Sequence, residues 1–255
     1  TKYLAQQSFP VDCIPDAQVT HIWTQDKKIS ENIAIASKIK HVVNNFEDMI
    51  DKVDAVLLAR DDPESHLEMS LPFLDAGLPI YIDKPIAIDS KVLEAILKHE
   101  KYPGQIFSCS ALRFAQEFNI SQSDREELGD IKYIEASTGK SWEKYGVHIV
   151  EPVLNILKLS GDDSGVRVTN LGDKKNVFAD LGGTTVKFST LGDVQTPITI
   201  DLHGTKSMRK LVFQDTFSAF KRALEVFIEG FTKRQQMITH GELRRIVSLI
   251  ERGMV

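Results

Sequence analysis

The sequence has 255 residues, 42% hydrophobic and 26% charged, with a net charge of −5. That length holds one large domain or two modest ones, and a mildly acidic chain with scattered basic residues gives no reason to expect nucleic acid or an anionic membrane as partner. Cys13 and Cys109 are the only cysteines, too few and too far apart for a disulfide framework or zinc site, which points to a reducing cytoplasm; no apolar run is long enough to span a bilayer and no basic-then-apolar leader opens the chain.

Val19–Thr24 is β-branched and aromatic and reads as a strand ending at Gln25-Asp26. A helix is predicted over 30–40, with Ile29, Ile33, Ala36 and Ile39 at helical spacing, and a short helix over 46–50 behind the cap candidate Asn45. Ala55–Ala59 is continuously apolar, as a central parallel strand should be. Residues 65–76 read as a helix closed by Gly77. Ile80–Ile82 reads as the next strand, and Asp89 or Ser90 caps a helix to about His99. This β-α-β-α order predicts a Rossmann-like, doubly wound parallel sheet over residues 1–103.

The texture changes after Pro103-Gly104. Strands are predicted at 105–112 and 131–137, and a helix at 148–159. Then come strands at 166–171, 177–180, 184–189, 198–203 and 210–213, separated by glycine-containing turns. Close-set strands with short turns predict an open, mainly antiparallel sheet, so residues 104–255 read as an α+β domain. Helices at 216–231 and 240–252 close it, the first with Phe217, Phe220, Leu224, Phe227 and Ile228 as its apolar face.

The chemistry concentrates in two stretches. Ile80-Tyr81-Ile82-Asp83-Lys84-Pro85 puts a lysine at the carboxyl end of a buried parallel strand, where open α/β sheets bind ligands. Pro85 stiffens the turn behind it. Tyr145-Gly146-Val147-His148-Ile149-Val150-Glu151 supplies a histidine able to titrate near neutral pH. Together they suggest a proton-transfer site. The acidic pair Asp61-Asp62 reads as helix-capping charge, and no metal is expected.

The layout resembles the Gfo/Idh/MocA oxidoreductase family, in which a Rossmann domain precedes an α+β domain whose open sheet often forms subunit contacts. Ala55–Ala59 followed by His66 is similar to the family's fourth strand and its loop. Asp75-Ala76-Gly77-Leu78-Pro79 and Asp83-Lys84-Pro85 resemble its alanine-glycine turn and Glu-Lys-Pro signature. Arg113-Phe114, Leu128-Gly129-Asp130-Ile131, Gly146-Val147-His148 and Gly204-Thr205 resemble its later motifs, in order and over nearly the whole chain.

The resemblance implies an NAD- or NADP-dependent enzyme moving hydride between nicotinamide and a secondary alcohol or ketone of a sugar, cyclitol or similar polyol. It makes Lys84 and His148 catalytic, the imidazole accepting the hydroxyl proton while the ammonium stabilises charge on the same oxygen. It puts Asp26, Ala59, Arg60, His66, Asp83, Lys84 and Pro85 beside the cofactor and Arg113, Tyr145 and Glu151 beside the substrate, in a homodimer or homotetramer. Asp26 favours NAD by accepting ribose hydroxyls, whereas Lys27 and Lys28 next to it favour a 2′-phosphate.

Three departures stand against the family pattern. The sequence contains no Gly-X-Gly-X-X-Gly, the loop whose N–H groups hold a pyrophosphate. The family's first strand and that loop would fall upstream of Thr1, with Tyr3–Gln7 the tail of the first helix. Either that segment is cut off or the chain does not bind a dinucleotide normally; the first is favoured, because a parallel sheet lacking an inner strand exposes apolar neighbours. Asp83 replaces a glutamate. Lys144 stands where many members have an aspartate; with the absent glycine loop it makes a non-catalytic dinucleotide- or sugar-sensing regulatory relative the alternative. An imine or tetrapyrrole reductase on the same scaffold is a weaker third reading.

Overall fold

The computed structural model describes residues 13–15, 17–158 and 163–255; the expected helix tail at Tyr3–Gln7 lies outside them. Five short parallel strands form two sheets. β1 (His21–Ile22) pairs with β2 (His41–Val42). β3 (Val56–Leu58), β4 (Ile80–Ile82) and β5 (Ile106–Phe107) form the other, in that order. Helix α1 (Lys27–Ser37) follows β1 and starts where the Asp26 side chain accepts the Lys28 and Ile29 N–H groups. α2 (His66–Asp75) follows β3 and is closed by Gly77 at φ +81°. α3 (Ser90–Leu97) follows β4, capped by Asp89. An aromatic chain, Trp23 to Phe46 to Phe73, links the end of β1 to α2.

Beyond β5 the chain turns through a 3₁₀ segment at Ala111–Phe114 and α4 (Gln122–Leu128) into a six-stranded sheet. Its strands are β6 (Ile131–Thr138), β7 (Ser164–Leu171), β8 (Lys174–Leu181), β9 (Thr184–Thr190), β10 (Thr199–Gly204) and β11 (Met208–Val212), ordered β11-β10-β6-β9-β8-β7. Period-two alternation sends Ile134, Ala136, Val186, Phe188, Ile200 and Leu202 to one face, all fully buried. α6 (Val147–Leu157) covers this face, and α8 (His240–Arg252) packs on α6. α5 (Trp142–Tyr145) leads into α6, and α7 (Thr216–Lys233) packs on the 3₁₀ segment. α8 also meets α3, where Arg244 pairs with Glu94 and Ser90 donates to Glu251, tying the two halves together.

The structure corrects several expectations. β2 was not foreseen; two residues carry too little periodicity to register. The strand expected over 105–112 stops at Phe107, because Ser110 caps the 3₁₀ segment instead. β6 and β9 run parallel inside the otherwise antiparallel sheet. That pairing needs a long crossover, which α6 and the β7–β8 hairpin supply. α1 buries Ser30 and Ala34, while Ile29 and Ile33 are 49% and 39% exposed. Leu57, expected inside a central strand, is 46% exposed among the described residues. In α7 the buried stripe is Ala219, Ala223, Val226, Phe227 and Gly230; of the expected face only Phe227 is fully buried, and Phe220 is 47% exposed. Small side chains on that stripe let the helix approach the 3₁₀ segment closely.

Candidate active site

Lys84 leaves the carboxyl end of β4 with a side chain only 17% exposed, its Nζ 3.6 Å from Asp83 Oδ2. Pro85 behind it is buried, which fixes where the lysine stem emerges. His148 comes from the first turn of α6, 64 residues later in sequence. Its position depends on Trp142, a fully buried indole whose Nε1 donates to Ile250 O at 2.9 Å and pins α5 to α8. Gly146 is needed at the α5–α6 junction, because a Cβ there would lie 2.8 Å from Trp142 Cε3.

The lysine and histidine meet across Tyr145. Lys84 Nζ lies 5.9 Å from the centre of the Tyr145 ring. That ring sits 5.4 Å from the imidazole, edge to face. Tyr145 is 36% exposed and His148 8%, so a ligand entering here meets the phenol ring first. Burial, then the nearby charge of Lys84, pushes the His148 pKa down to about 3, so the ring is neutral at physiological pH. Its Nδ1 is 2.8 Å from Ser110 Oγ.

Arg113 and Glu151 sit behind the histidine and take up each other's polar atoms. Arg113 donates to Glu151 Oε1 at 2.9 Å and to Glu242 Oε1 at 2.8 Å. The Ser110 N–H donates to Glu151 Oε2 at 2.6 Å. Burial pushes the Glu151 carboxyl up, opposed by Arg113 and the Ser110 N–H, both of which favour the carboxylate. Burial also opposes charge on Arg113, but Glu151 and Glu242 outweigh it and hold its pKa up. With side-chain exposures of 9% and 2%, the Arg113–Glu151 pair braces α6 against the 3₁₀ segment. Tyr81 Oη reaches Cys109, and burial raises the pKa of both groups.

The remaining sequence-predicted residues line the ends of β1 and β3. Asp26 is exposed at the start of α1, with only Oδ1 engaged in the cap; Oδ2 makes no hydrogen bond among the described residues. Arg60 follows Ala59 at the end of β3 and grips Asp62 through two bonds of 2.7 and 2.8 Å. That hydrogen bond from Arg60 lowers the Asp62 pKa to about 2. His66 is fully buried, its ring nitrogens 2.9 Å from Arg60 O and 3.1 Å from Ile86 O, so it staples the β3 loop to the segment after Pro85. Lys144 reaches Asp61 at 3.3 Å, joining α5 to the same loop.

Sequence reasoning missed Ser110 and Asp61 as parts of the site. Ser110 fell inside the strand expected over 105–112, and its contact with His148 arises from α6 docking 38 residues later. Asp61 was read as capping charge, and its partner is likewise distant.

Residues 3–111 match the model of the oxidoreductase family with an NAD-binding Rossmann fold, GFO_IDH_MocA. No curated protein matches the chain. Among solved structures, myo-inositol 2-dehydrogenase from Lactobacillus plantarum is similar at a TM-score of 0.77 and 13% identity, over 94% of this chain and 89% of the other. A putative myo-inositol dehydrogenase from Sinorhizobium meliloti is similar at 0.74 and 16%, over 94% and 90%. Scyllo-inositol dehydrogenase from Lactobacillus casei, solved with bound NAD(H) and scyllo-inositol, is similar at 0.74 and 14%, over 94% and 89%. At these identities the likeness shows the fold, and it extends through the second, mixed sheet. No described helix is long and apolar enough to cross a membrane.

Proposed function

We propose that this chain is a nicotinamide-dependent oxidoreductase acting on a secondary alcohol or ketone of a sugar, cyclitol or similar small polyol. The observation that carries the reading is the meeting of Lys84 and His148 around Tyr145, from elements far apart in the chain. The inositol dehydrogenases of the same fold support a cyclitol-like substrate.

The residues present fit a dinucleotide at its two ends. Asp26 has a carboxylate oxygen in hand for ribose hydroxyls, which favours NAD, while Lys27 and Lys28 alongside suit NADP. Ala59, Asp83, Lys84 and Pro85 end the adjacent parallel strands β3 and β4, the side of such sheets where nicotinamide would lie. A nicotinamide held there would supply the hydride acceptor or donor for the carbinol carbon. Lys84 and His148 hold the substrate oxygen and manage its proton. Tyr145 offers a ring face to the apolar side of a polyol. Arg60, paired with Asp62, and His66 shape the loop beside the cofactor. Arg113 and Glu151 support the substrate side through α6. In this division residues 1–103 carry the cofactor and residues 104–255 the substrate and subunit contacts, with β5 completing the β3–β4 sheet. A homodimer or homotetramer through the open sheet, working in the cytoplasm, completes the proposal.

A second reading is a non-catalytic sensor of the same fold. It draws on Lys144, which stands at the position of a family aspartate and engages Asp61. Calorimetric titration with NAD and NADP, then a panel of polyols monitored for reduced nicotinamide, separates the two. The enzyme reading expects cofactor binding and turnover of at least one polyol, abolished in Lys84→Ala. Binding without turnover of any polyol favours the sensor, and no cofactor binding by the full-length protein refutes the enzyme reading.

A further inference from the structure

We propose that Ser110 fixes the tautomer of His148, making the imidazole a standing hydrogen-bond donor to the substrate oxygen and leaving Lys84 as the group that takes and returns the proton. The tautomer rests on geometry alone; the catalytic half rests on the oxidoreductase reading above.

Ser110 is fully buried. Among the described residues its Oγ has two polar neighbours: the Leu112 N–H at 3.3 Å and His148 Nδ1 at 2.8 Å. The Leu112 N–H can only donate, so it uses a lone pair of the hydroxyl. The hydroxyl hydrogen then has one acceptor within reach, Nδ1. A buried hydroxyl that donates to nothing is costly. Oγ–H therefore donates to Nδ1, and the ring proton resides on Nε2.

The hydroxyl is held in this role by its surroundings. The Ser110 N–H donates to Glu151 Oε2 at 2.6 Å, and Ser110 O accepts from the Arg113 N–H at 3.1 Å. Glu151 lies one turn after His148 on α6 and is itself gripped by Arg113. These three contacts fix the serine and the helix that carries the imidazole together. The other groups facing the ring are the Lys84 ammonium from β4 and the Tyr145 ring from α5. Neither offers Nδ1 an alternative partner.

The chemical consequence follows from valence. A neutral imidazole protonated at Nε2 has no lone pair there, so it cannot take the substrate proton at that atom. Giving its own proton away would leave an imidazolate. It can stabilise negative charge on the substrate oxygen as a neutral donor. In alcohol oxidation the carbinol C–H would leave as hydride to nicotinamide C4, the C=O bond would form, and Lys84 Nζ, having first released its ammonium proton to solvent, would take the O–H proton. Ketone reduction returns both. This exchanges the roles that the family resemblance gives the two residues.

Long-range ¹H–¹⁵N correlation spectra of ¹⁵N-histidine-labelled full chain, with His148 assigned by its loss in His148→Gln, read the tautomer directly. The expected result is a neutral ring, Nε2 protonated and Nδ1 bare, unchanged from pH 5.5 to 9. A proton on Nδ1 overturns the proposal. Ser110→Ala is expected to give mixed tautomers and Ser110→Thr to restore the single one; an unchanged ring in a folded Ser110→Ala also overturns it. Should Ser110→Ala not fold, the spectrum of the unmutated protein still decides. None of these readings depends on turnover, so they survive a failure of the enzyme reading. For the catalytic half, His148→Gln keeps an N–H donor and is expected within about tenfold of the parent kcat, against a loss of about 10²–10³-fold in His148→Ala. Lys84→Ala is expected to lose more and to be partly rescued by added primary amine. His148→Gln as inactive as His148→Ala would show that the ring is the base.

Discussion

Acidification should unfold this protein through His148, and the effect can be isolated with one substitution. In the unfolded chain the histidine titrates near 6.5; in the fold burial and the Lys84 charge move it to about 3. Between those values the unfolded state binds the extra proton, so stability rises with pH and is lost as pH falls below about 6.5. Each unit is worth about 1.4 kcal/mol, so between pH 7.5 and pH 4.5 the histidine should cost the fold about 2.5–3 kcal/mol. Glu151 works in the opposite sense: its raised pKa makes the protonated fold more favourable at low pH, and that benefit fades as pH rises. Because Glu151 is present in both proteins, it cancels in a comparison of the parent with His148→Gln. Urea unfolding of both at pH 7.5, 6.5, 5.5 and 4.5 measures the difference. The gap should move in favour of the glutamine variant by about 2.5–3 kcal/mol across this range. A gap independent of pH would refute the claim that the imidazole is buried and neutral.

Other consequences are structural. Arg113→Ala leaves the Glu151 carboxylate buried without its cation and should cost about 3–5 kcal/mol in chemical denaturation. Adding Glu151→Gln to that variant should recover part of the loss. Gly253→Ala places a Cβ about 2.5 Å from the Trp142 indole and should destabilise by about 1–3 kcal/mol, read as a lowered Tm. Lys144→Ala removes an exposed contact with Asp61 and should change stability by less than about 1 kcal/mol.

Much of the architecture was legible because its signals are local. Asp89 announces a helix start, Gly77 a helix end, and the apolar run before Asp83-Lys84-Pro85 a strand. The alternation in β6, β9 and β10 marks a half-covered sheet on its own. What escaped depends on distant docking. The buried face of α7 is set by how near it comes to residues 111–114, and small residues give no hydrophobic peak. The parallel β6–β9 pair is decided by a crossover, not by either strand. In the site, Lys84 and His148 stood out because each sits at a strand end or helix start in a recognisable motif. Ser110 did not, because a serine capping a short turn looks the same whether or not an imidazole lies above it. Arg113 and Glu151 were noticed as polar residues near the site, but their engagement with each other appears only when α6 and the 3₁₀ segment are side by side.

The central claim is that Lys84 and His148 serve hydride transfer at a shared substrate oxygen. Polyols deuterated at their carbinol carbons, incubated with the protein and NAD or NADP, test it by ²H NMR of the recovered nicotinamide. Deuterium should appear at C4 from at least one cyclitol or sugar, and should not appear when Lys84 and His148 are both alanine. Undiminished transfer in that double variant, or none from any polyol in the intact protein despite bound cofactor, would contradict it.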